Sequence, residues 1–550
     1  MTTPGKLLAA LIALVPAFAG QDLKLSYVSA IDQTEQPYRL FVPTAYTGDK
    51  ELPLIVFMHG TGGDEGTVFD DERYDEGAIE EAAEKHGVLV VSPDGRGITE
   101  YRGIGENDVF NVLAEVQKNY RVDPDRIYLT GHSMGGTGGA YLALHHPDQF
   151  AAVAPLAAAY SFPWLARNAT HVPFLWIGGA DDLEFYLRGV GAGVERMRKF
   201  GVPVKLEIQP GEGHFGAVKD FERVFAWLLQ HKRNAHPTEY VFEVDTPMHG
   251  RAYWTAVEKI ARPGEMARIR GRADGQRALI ETENVAEFEL APDPQVFDLT
   301  APVEVIVDGE AAYSGPLAPT EALRAVRRGG GWSIERGPKT PPPPVTGYRQ
   351  FPVATAPEQL DMTGTEKRLA NWITDAMREA ADADIALYNG YAYRGLPIPE
   401  GTVDVVDLIQ CSRPFDQYLV AVELTGADLL EILDDNLPNP ERDRHSSIDE
   451  LGASPIVQLS GASYVFDMAK PKGQRIVSSS LDPERTYRVV LEGQAVERET
   501  VRLAGRFKNL DYETLDVAFT LALYGYAARR GTIEAQREGR VVEAQADESR

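Results

Sequence analysis

A single cysteine, Cys411, stands among the 550 residues, so no intrachain disulfide can form and stability must come from buried cores. Positive charge is also short: 55 Lys and Arg against 82 Asp and Glu leave a net charge of −27. Such a surface repels nucleic-acid backbones and anionic membranes, and neither is expected as a partner. Long apolar runs are missing too. Leu7 to Val15 is too short to span a bilayer, and no later segment reads as transmembrane, so no membrane insertion is expected. No His-x-x-x-His or carboxylate–histidine cluster stands out, so the sequence leads us to expect no metal and no cofactor.

What is present begins with an export signal. Lys6, the apolar run Leu7 to Val15 and Ala17-Phe18-Ala19 have the parts of a secretory signal peptide over residues 1–19. No cysteine follows to accept a lipid. Export without disulfides fits a secreted or periplasmic protein of a bacterial envelope. The length exceeds what one core supports, so several domains are expected.

The stretch Arg126 to Gly136 organises the first of them. The run Ile127 to Thr130, bounded upstream by the turn signal Asp123-Pro124-Asp125, drops into Gly131-x-Ser133-x-Gly135 and a small-residue helix. A serine at the apex of a tight strand-to-helix turn needs glycines on either side to avoid clashes, and the helix N-terminus behind it favours a developing oxyanion. Buried strands are expected at Leu54 to Met58 and Val88 to Ser92, with short apolar runs at Ala151 to Ala154 and Phe174 to Ile177 and a further strand at Val204 to Ile208. Helical segments alternate with them, as in a doubly wound α/β sheet over residues 20–235.

Two strand ends beyond the elbow carry matching chemistry. Gly178-Gly179-Ala180-Asp181-Asp182 offers an acid, and Gly211-Glu212-Gly213-His214 offers a base. Ser133, Asp181 and His214 then follow the chain order of an α/β-hydrolase triad. His214 would take the serine proton and the aspartate would fix its tautomer. Asp181 is preferred because Leu183 then falls at a packing position, but Asp182 remains open. Backbone N–H groups of Thr61 and Met134 would complete an oxyanion hole. His59 and His132 flank the site as candidate substrate-binding residues.

These residues carry a resemblance. From about Tyr38 to His231 the chain resembles the polyhydroxybutyrate-depolymerase and feruloyl-esterase group of secreted, prolyl-oligopeptidase-like α/β-hydrolases. The carriers are Pro37 to Pro43, Met58-His59-Gly60-Thr61-Gly62, Val122 to Gly136 and the loop of His214. The resemblance implies hydrolysis of a small-molecule or polymeric carboxylic ester through an acyl-serine. A serine peptidase using the same machinery is the alternative within enzymes.

Residues 236–337 change to short alternating runs such as Tyr240 to Val244, Arg277 to Glu281 and Val303 to Val307, and read as a small accessory β-sandwich. Lys339-Thr340 and the prolines 341–344 mark a polyproline linker over 338–360. Beyond it, Leu369, Trp372, Ile373, Ala376 and Met377 form an amphipathic helix. Over roughly Asp361 to Arg506 the chain resembles the α+β C-terminal domain of bacterial 5′-nucleotidases, carried by Ala383 to Gly390, Pro414-Phe415, Val422 to Leu430, Ser460 to Tyr464 and Asp482 to Val489.

That second resemblance implies a nucleotide-binding remnant at Asn389, Arg394 and Phe415, and hence a candidate nucleoside-like ligand. Departures are plain. Tyr391-Ala392-Tyr393 replaces a glycine run, Gln417 replaces an asparagine, and no metallophosphatase motifs precede the domain. Without a two-metal site no nucleotidase chemistry follows. A non-catalytic nucleoside-binding protein is therefore the alternative from a different class. The domain is expected over 361–536, with a frayed polar tail over 537–550.

Overall fold

The computed structural model describes residues 20–341, 350–388, 395–411, 417–438, 456–493 and 511–544. The leader therefore lies outside the described residues, as do Asn389, Arg394 and Phe415. No helix among the described residues is long and apolar enough to cross a membrane.

The N-terminal region is an α/β-hydrolase built on an eight-stranded sheet of order β1-β2-β4-β3-β5-β6-β7-β8. Its strands are β1 (Gln21–Val28), β2 (Glu35–Val42), β3 (Leu52–Met58), β4 (Leu89–Pro93), β5 (Val122–His132), β6 (Ala152–Leu156), β7 (Phe174–Gly179) and β8 (Val204–Gln209). The pairings β1–β2 and β2–β4 are antiparallel and the rest parallel. The continuous apolar run of β3 follows from this position. Leu54, Val56 and Met58 enter the core on one face while Ile55 and Phe57 enter the core on the other, all fully buried. Each such side chain contributes about 1.5–3 kcal/mol of burial.

The turn signal before the elbow has a different fate from the expected one. Asp123-Pro124-Asp125 lies within β5, which pairs with β3 at Val122 and again from Ile127. The four residues between are a bulge, the place where a sheet tolerates proline. Helices α1 (Ala78–His86), α2 (Ile104–Asn119), α3 (Met134–His145), α4 (Glu184–Lys199) and α5 (Phe221–Leu228) cover the sheet.

Residues Glu239 to Pro338 form two five-stranded sheets. Ile269, Ile280 and Val305 from one and Val257, Phe288 and Leu323 from the other share a single core. The C-terminal region is sheet-rich, with a five-stranded sheet flanked by helices Arg368–Ala380 and Gly426–Asp435. Its first strand, Pro352–Ala356, pairs with Gly401–Asp404, so sheet structure begins inside the stretch expected to be linker.

The three regions are packed together. Ala518 and Leu521, at the start of the helix Phe519–Arg530, enter the hydrolase core. Arg102 of the hydrolase donates to Thr520 Oγ1 at 3.1 Å, and Trp164 meets Tyr418 edge-on at 5.0 Å. Gly264 of the β region lies so close to Gly525 that a Cβ there would stand 2.7 Å from the Gly525 Cα.

The tail also departs from expectation. Val541–Glu543 adds a parallel strand to Tyr464–Phe466, and Arg540 holds Asp375 with bonds of 2.8 and 2.9 Å. One buried apolar residue, Val541, and a bidentate ion pair suffice to order a segment of polar composition.

Candidate active site

Ser133 sits between β5 and α3 with φ +56° and ψ −113°, a conformation non-glycine residues rarely adopt. Glycines on both sides make room for it. A Cβ on Gly135 would stand 2.0 Å from the Met58 carbonyl oxygen, and one on Gly131 would stand 2.6 Å from the same atom. The spacing seen in the sequence thus reflects backbone of β3 pressed against the elbow.

His214 Nε2 lies 3.0 Å from Ser133 Oγ, and His214 Nδ1 lies 2.8 Å from Asp182 Oδ2. The carboxylate bonded to His214 is therefore that of Asp182 and not that of Asp181. Asp181 is exposed, and its backbone N–H donates to the Glu212 carbonyl. Asp182 keeps a side chain only 2% exposed, and its second oxygen accepts the Leu183 N–H at 2.7 Å. Packing of Leu183 was the argument for Asp181, yet Leu183 is itself exposed at 45%. The arrangement leaves one chemical outcome. Asp182 can accept Nδ1–H, so Nε2 carries the lone pair that can take the Ser133 proton.

His132 lines the cleft but is almost wholly buried, and its contacts are internal. Its Nε2 lies 3.0 Å from the His214 carbonyl oxygen, which can only accept, so Nε2 carries the hydrogen and Nδ1 accepts the Tyr74 hydroxyl at 2.7 Å. Burial first, and the neighbouring His214 second, lower its pKa to about 3. A neutral His132 thereby tethers the loop that carries the base. His59 has no exposed surface, and its ring nitrogens stand 2.8 Å from the carbonyl oxygens of Gly60 and Asp94. These contacts tie the Gly60 to Gly63 loop to the end of β4.

Thr61 and Met134 both line the cleft beside Ser133. Met134 is the first residue of α3, whose leading N–H groups have no acceptor within the helix. The cleft has a volume of about 260 Å³ and is bounded by Tyr74, Tyr186 and Phe215, with Arg73, Glu100 and Tyr160 supplying polar groups. Tyr186 stacks on His214 at 5.3 Å, and Tyr160 donates to Glu100 at 2.6 Å. None of these lining residues was legible. Tyr186 in particular lies on a helix whose glycines hide it. A Cβ on Gly193 would stand 2.1 Å from Ser161 Oγ, so the helix trades propensity for close approach to the segment after β6.

Two family models match separate parts of the chain, the first ending at residue 178, before Asp182 and His214. A family model described as putative esterase matches residues 29–178, and one described as 5′-nucleotidase, C-terminal domain, matches residues 352–493. The putative esterase NocK of Nocardia uniformis subsp. tsuyamanensis is 34% identical over 160 residues, which are 26% of this chain and 45% of that protein. The thermostable monoacylglycerol lipase of Bacillus sp. (strain H-257) is 33% identical over 118 residues, 21% of this chain and 44% of the lipase. The chain thus spans just under half the length of these curated relatives. A solved ferulic acid esterase aligns with 39% of this chain and 96% of its own at 20% identity and a TM-score of 0.34. The protein therefore carries a domain of the putative esterase family over residues 29–178 and a 5′-nucleotidase C-terminal domain over residues 352–493.

Proposed function

We propose that this protein is an exported serine esterase that cleaves carboxylic esters through an acyl-serine intermediate. The observation that carries the proposal is the continuous bonding from Asp182 through His214 to a strained Ser133 in an open cleft. His214 Nε2 takes the Oγ proton as Oγ attacks the ester carbonyl. The imidazolium formed is stabilised by Asp182, whose carboxylate is shielded from solvent. The oxyanion of the tetrahedral intermediate accepts the backbone N–H groups of Thr61 and Met134, assisted by the dipole of α3. His214 then returns its proton to the departing alcohol. Water enters, gives its proton to the same nitrogen, and releases the acid.

The cleft volume of about 260 Å³ and its mixed aromatic and polar lining suit a small acyl or alcohol group better than a bulky one. For the C-terminal domain a structural role is favoured, because Ala518 and Leu521 complete the hydrolase core. Export rests on the apolar leader read from the sequence.

The test is labelling of the purified chain with a fluorophosphonate probe beside the Ser133→Ala variant, together with hydrolysis of short-chain p-nitrophenyl esters. Stoichiometric labelling that vanishes in the variant, with turnover down by about three orders of magnitude or more, is expected. A folded wild-type chain that takes no label would overturn the proposal.

A further inference from the structure

Away from the cleft, at the far end of the helix that starts at Ser133, histidines and carboxylates from distant parts of the chain meet. His145 is the last residue of α3, Glu106 lies in α2, and Asp245 and His249 belong to the β region. His145, Asp245 and His249 are all buried, and one ligating atom from each lies within 4.8 Å of those of the other two.

With neutral imidazoles the hydrogen-bond chemistry of this cluster is incomplete, and either a second ring proton or a metal ion must supply a positive charge. His145 Nδ1 lies 3.0 Å from the Tyr141 carbonyl oxygen, which can only accept, so Nδ1 must carry the hydrogen. The other nitrogen, Nε2, then points a lone pair at Asp245 Oδ2, 2.9 Å away. Lone pair against carboxylate is repulsive unless a positive charge stands between them. His249 repeats the pattern. Its Nε2 lies 3.1 and 3.2 Å from the two oxygens of Glu106, a carboxylate also held by His146 at 2.5 Å. That leaves Nδ1 of His249 facing Asp245 Oδ1 at 3.9 Å, with Thr246 Oγ1 at 3.5 Å.

We propose that His145 Nε2, His249 Nδ1 and the Asp245 carboxylate bind a divalent transition-metal ion of the zinc class. Two imidazoles and one carboxylate, without thiolate, are donors suited to such an ion, which takes each at about 2.0–2.2 Å. Each histidine has its distal nitrogen held as a metal-ligating histidine requires, by the Tyr141 carbonyl for His145 and by Glu106 for His249. The negative end of the α3 dipole adds to the attraction for a cation. Thr246 Oγ1 or water completes the fourth position. The ion joins the helix that positions Ser133 to the first strand of the β region and has a structural role, independent of whether Ser133 hydrolyses esters.

The test uses the full-length chain, stripped with chelator and loaded with Zn2+ or with Co2+ as a spectroscopic probe. We expect about one zinc ion per chain retained through gel filtration, visible cobalt bands of a four- or five-coordinate site, and a rise in melting temperature with zinc. Asp245→Asn and His145→Gln should each lose the cobalt bands, and Glu106→Gln should weaken zinc binding by about 10–100-fold. The wild-type measurement decides the matter even if a variant fails to fold. A folded, chelator-stripped chain that retains no zinc and gives no cobalt spectrum overturns the site, and a buried imidazolium then bridges Asp245.

Discussion

Replacing Ser133 with glycine should stabilise the protein while abolishing its chemistry. The residue is held at φ +56° and ψ −113°, where any side chain beyond hydrogen is strained by about 1–3 kcal/mol. Glycine removes that strain but adds about 0.5–1 kcal/mol of backbone entropy to be lost on folding. Taking the centre of each range, the net gain is about 1.25 kcal/mol. The proper reference is Ser133→Ala, since both variants lose the bond from Oγ to His214 and only alanine keeps the strained Cβ. For a unit of this size about 1 kcal/mol moves the melting temperature by roughly 2–4 °C. The glycine variant should therefore melt about 2.5–5 °C above the alanine variant in scans made under one set of conditions, both being inactive. Equal melting temperatures, or a lower one for glycine, would refute the argument that the elbow stores strain.

Two further outcomes follow from the site. Asp182→Asn should cut kcat by about three to four orders of magnitude, because an amide can present its N–H to Nδ1 and so select the tautomer that cannot accept the serine proton. Asp181→Asn should leave ester turnover within about threefold of wild type, and the reverse ranking would show the acid to be misassigned. For His132, whose pKa falls to about 3 in the folded state from 6.5, the unfolded chain binds the proton first as pH drops. Stability from this group is present above pH 6.5 and lost between 6.5 and 3, at up to about 1.4 kcal/mol per pH unit. His132→Gln should flatten the fall in melting temperature over that interval, and parallel curves for the two proteins would exclude it as the source.

Much of the hydrolase was legible because its signals are local. The alternation of fully buried residues in β3 and the glycines around Ser133 each report a constraint within a few residues: a strand covered on both faces, and a Met58 carbonyl that would touch any Cβ at Gly135. The glycine-rich α4 was hidden for the converse reason. Glycines at 189 and 193 weaken a helical pattern, yet a Cβ on Gly189 would stand 2.7 Å from the Ala159 carbonyl oxygen, so their smallness serves contact with a segment outside the helix. The strand Val541–Glu543 was hidden in the same way, since its partners are Asp375, through Arg540, and a strand edge at Tyr464.

The choice between Asp181 and Asp182 shows why composition at a strand end could not settle the acid. Both follow β7, both are carboxylates, and one residue of displacement changes only the direction of the side chain. The Asp181 N–H donates to the Glu212 carbonyl at 2.9 Å, which ties the end of β7 to the loop that brings His214. That tie joins two strand ends across the sheet, a relation with no fixed spacing in the chain. The buried cluster at the other end of α3 follows the same logic. Asp245 and His249 are four residues apart, but His145 is distant in sequence, and only the docking of the β region on α3 makes ligands of them. Helix α3 therefore has constraints at both ends, a strained serine at the first and a histidine facing a carboxylate at the last.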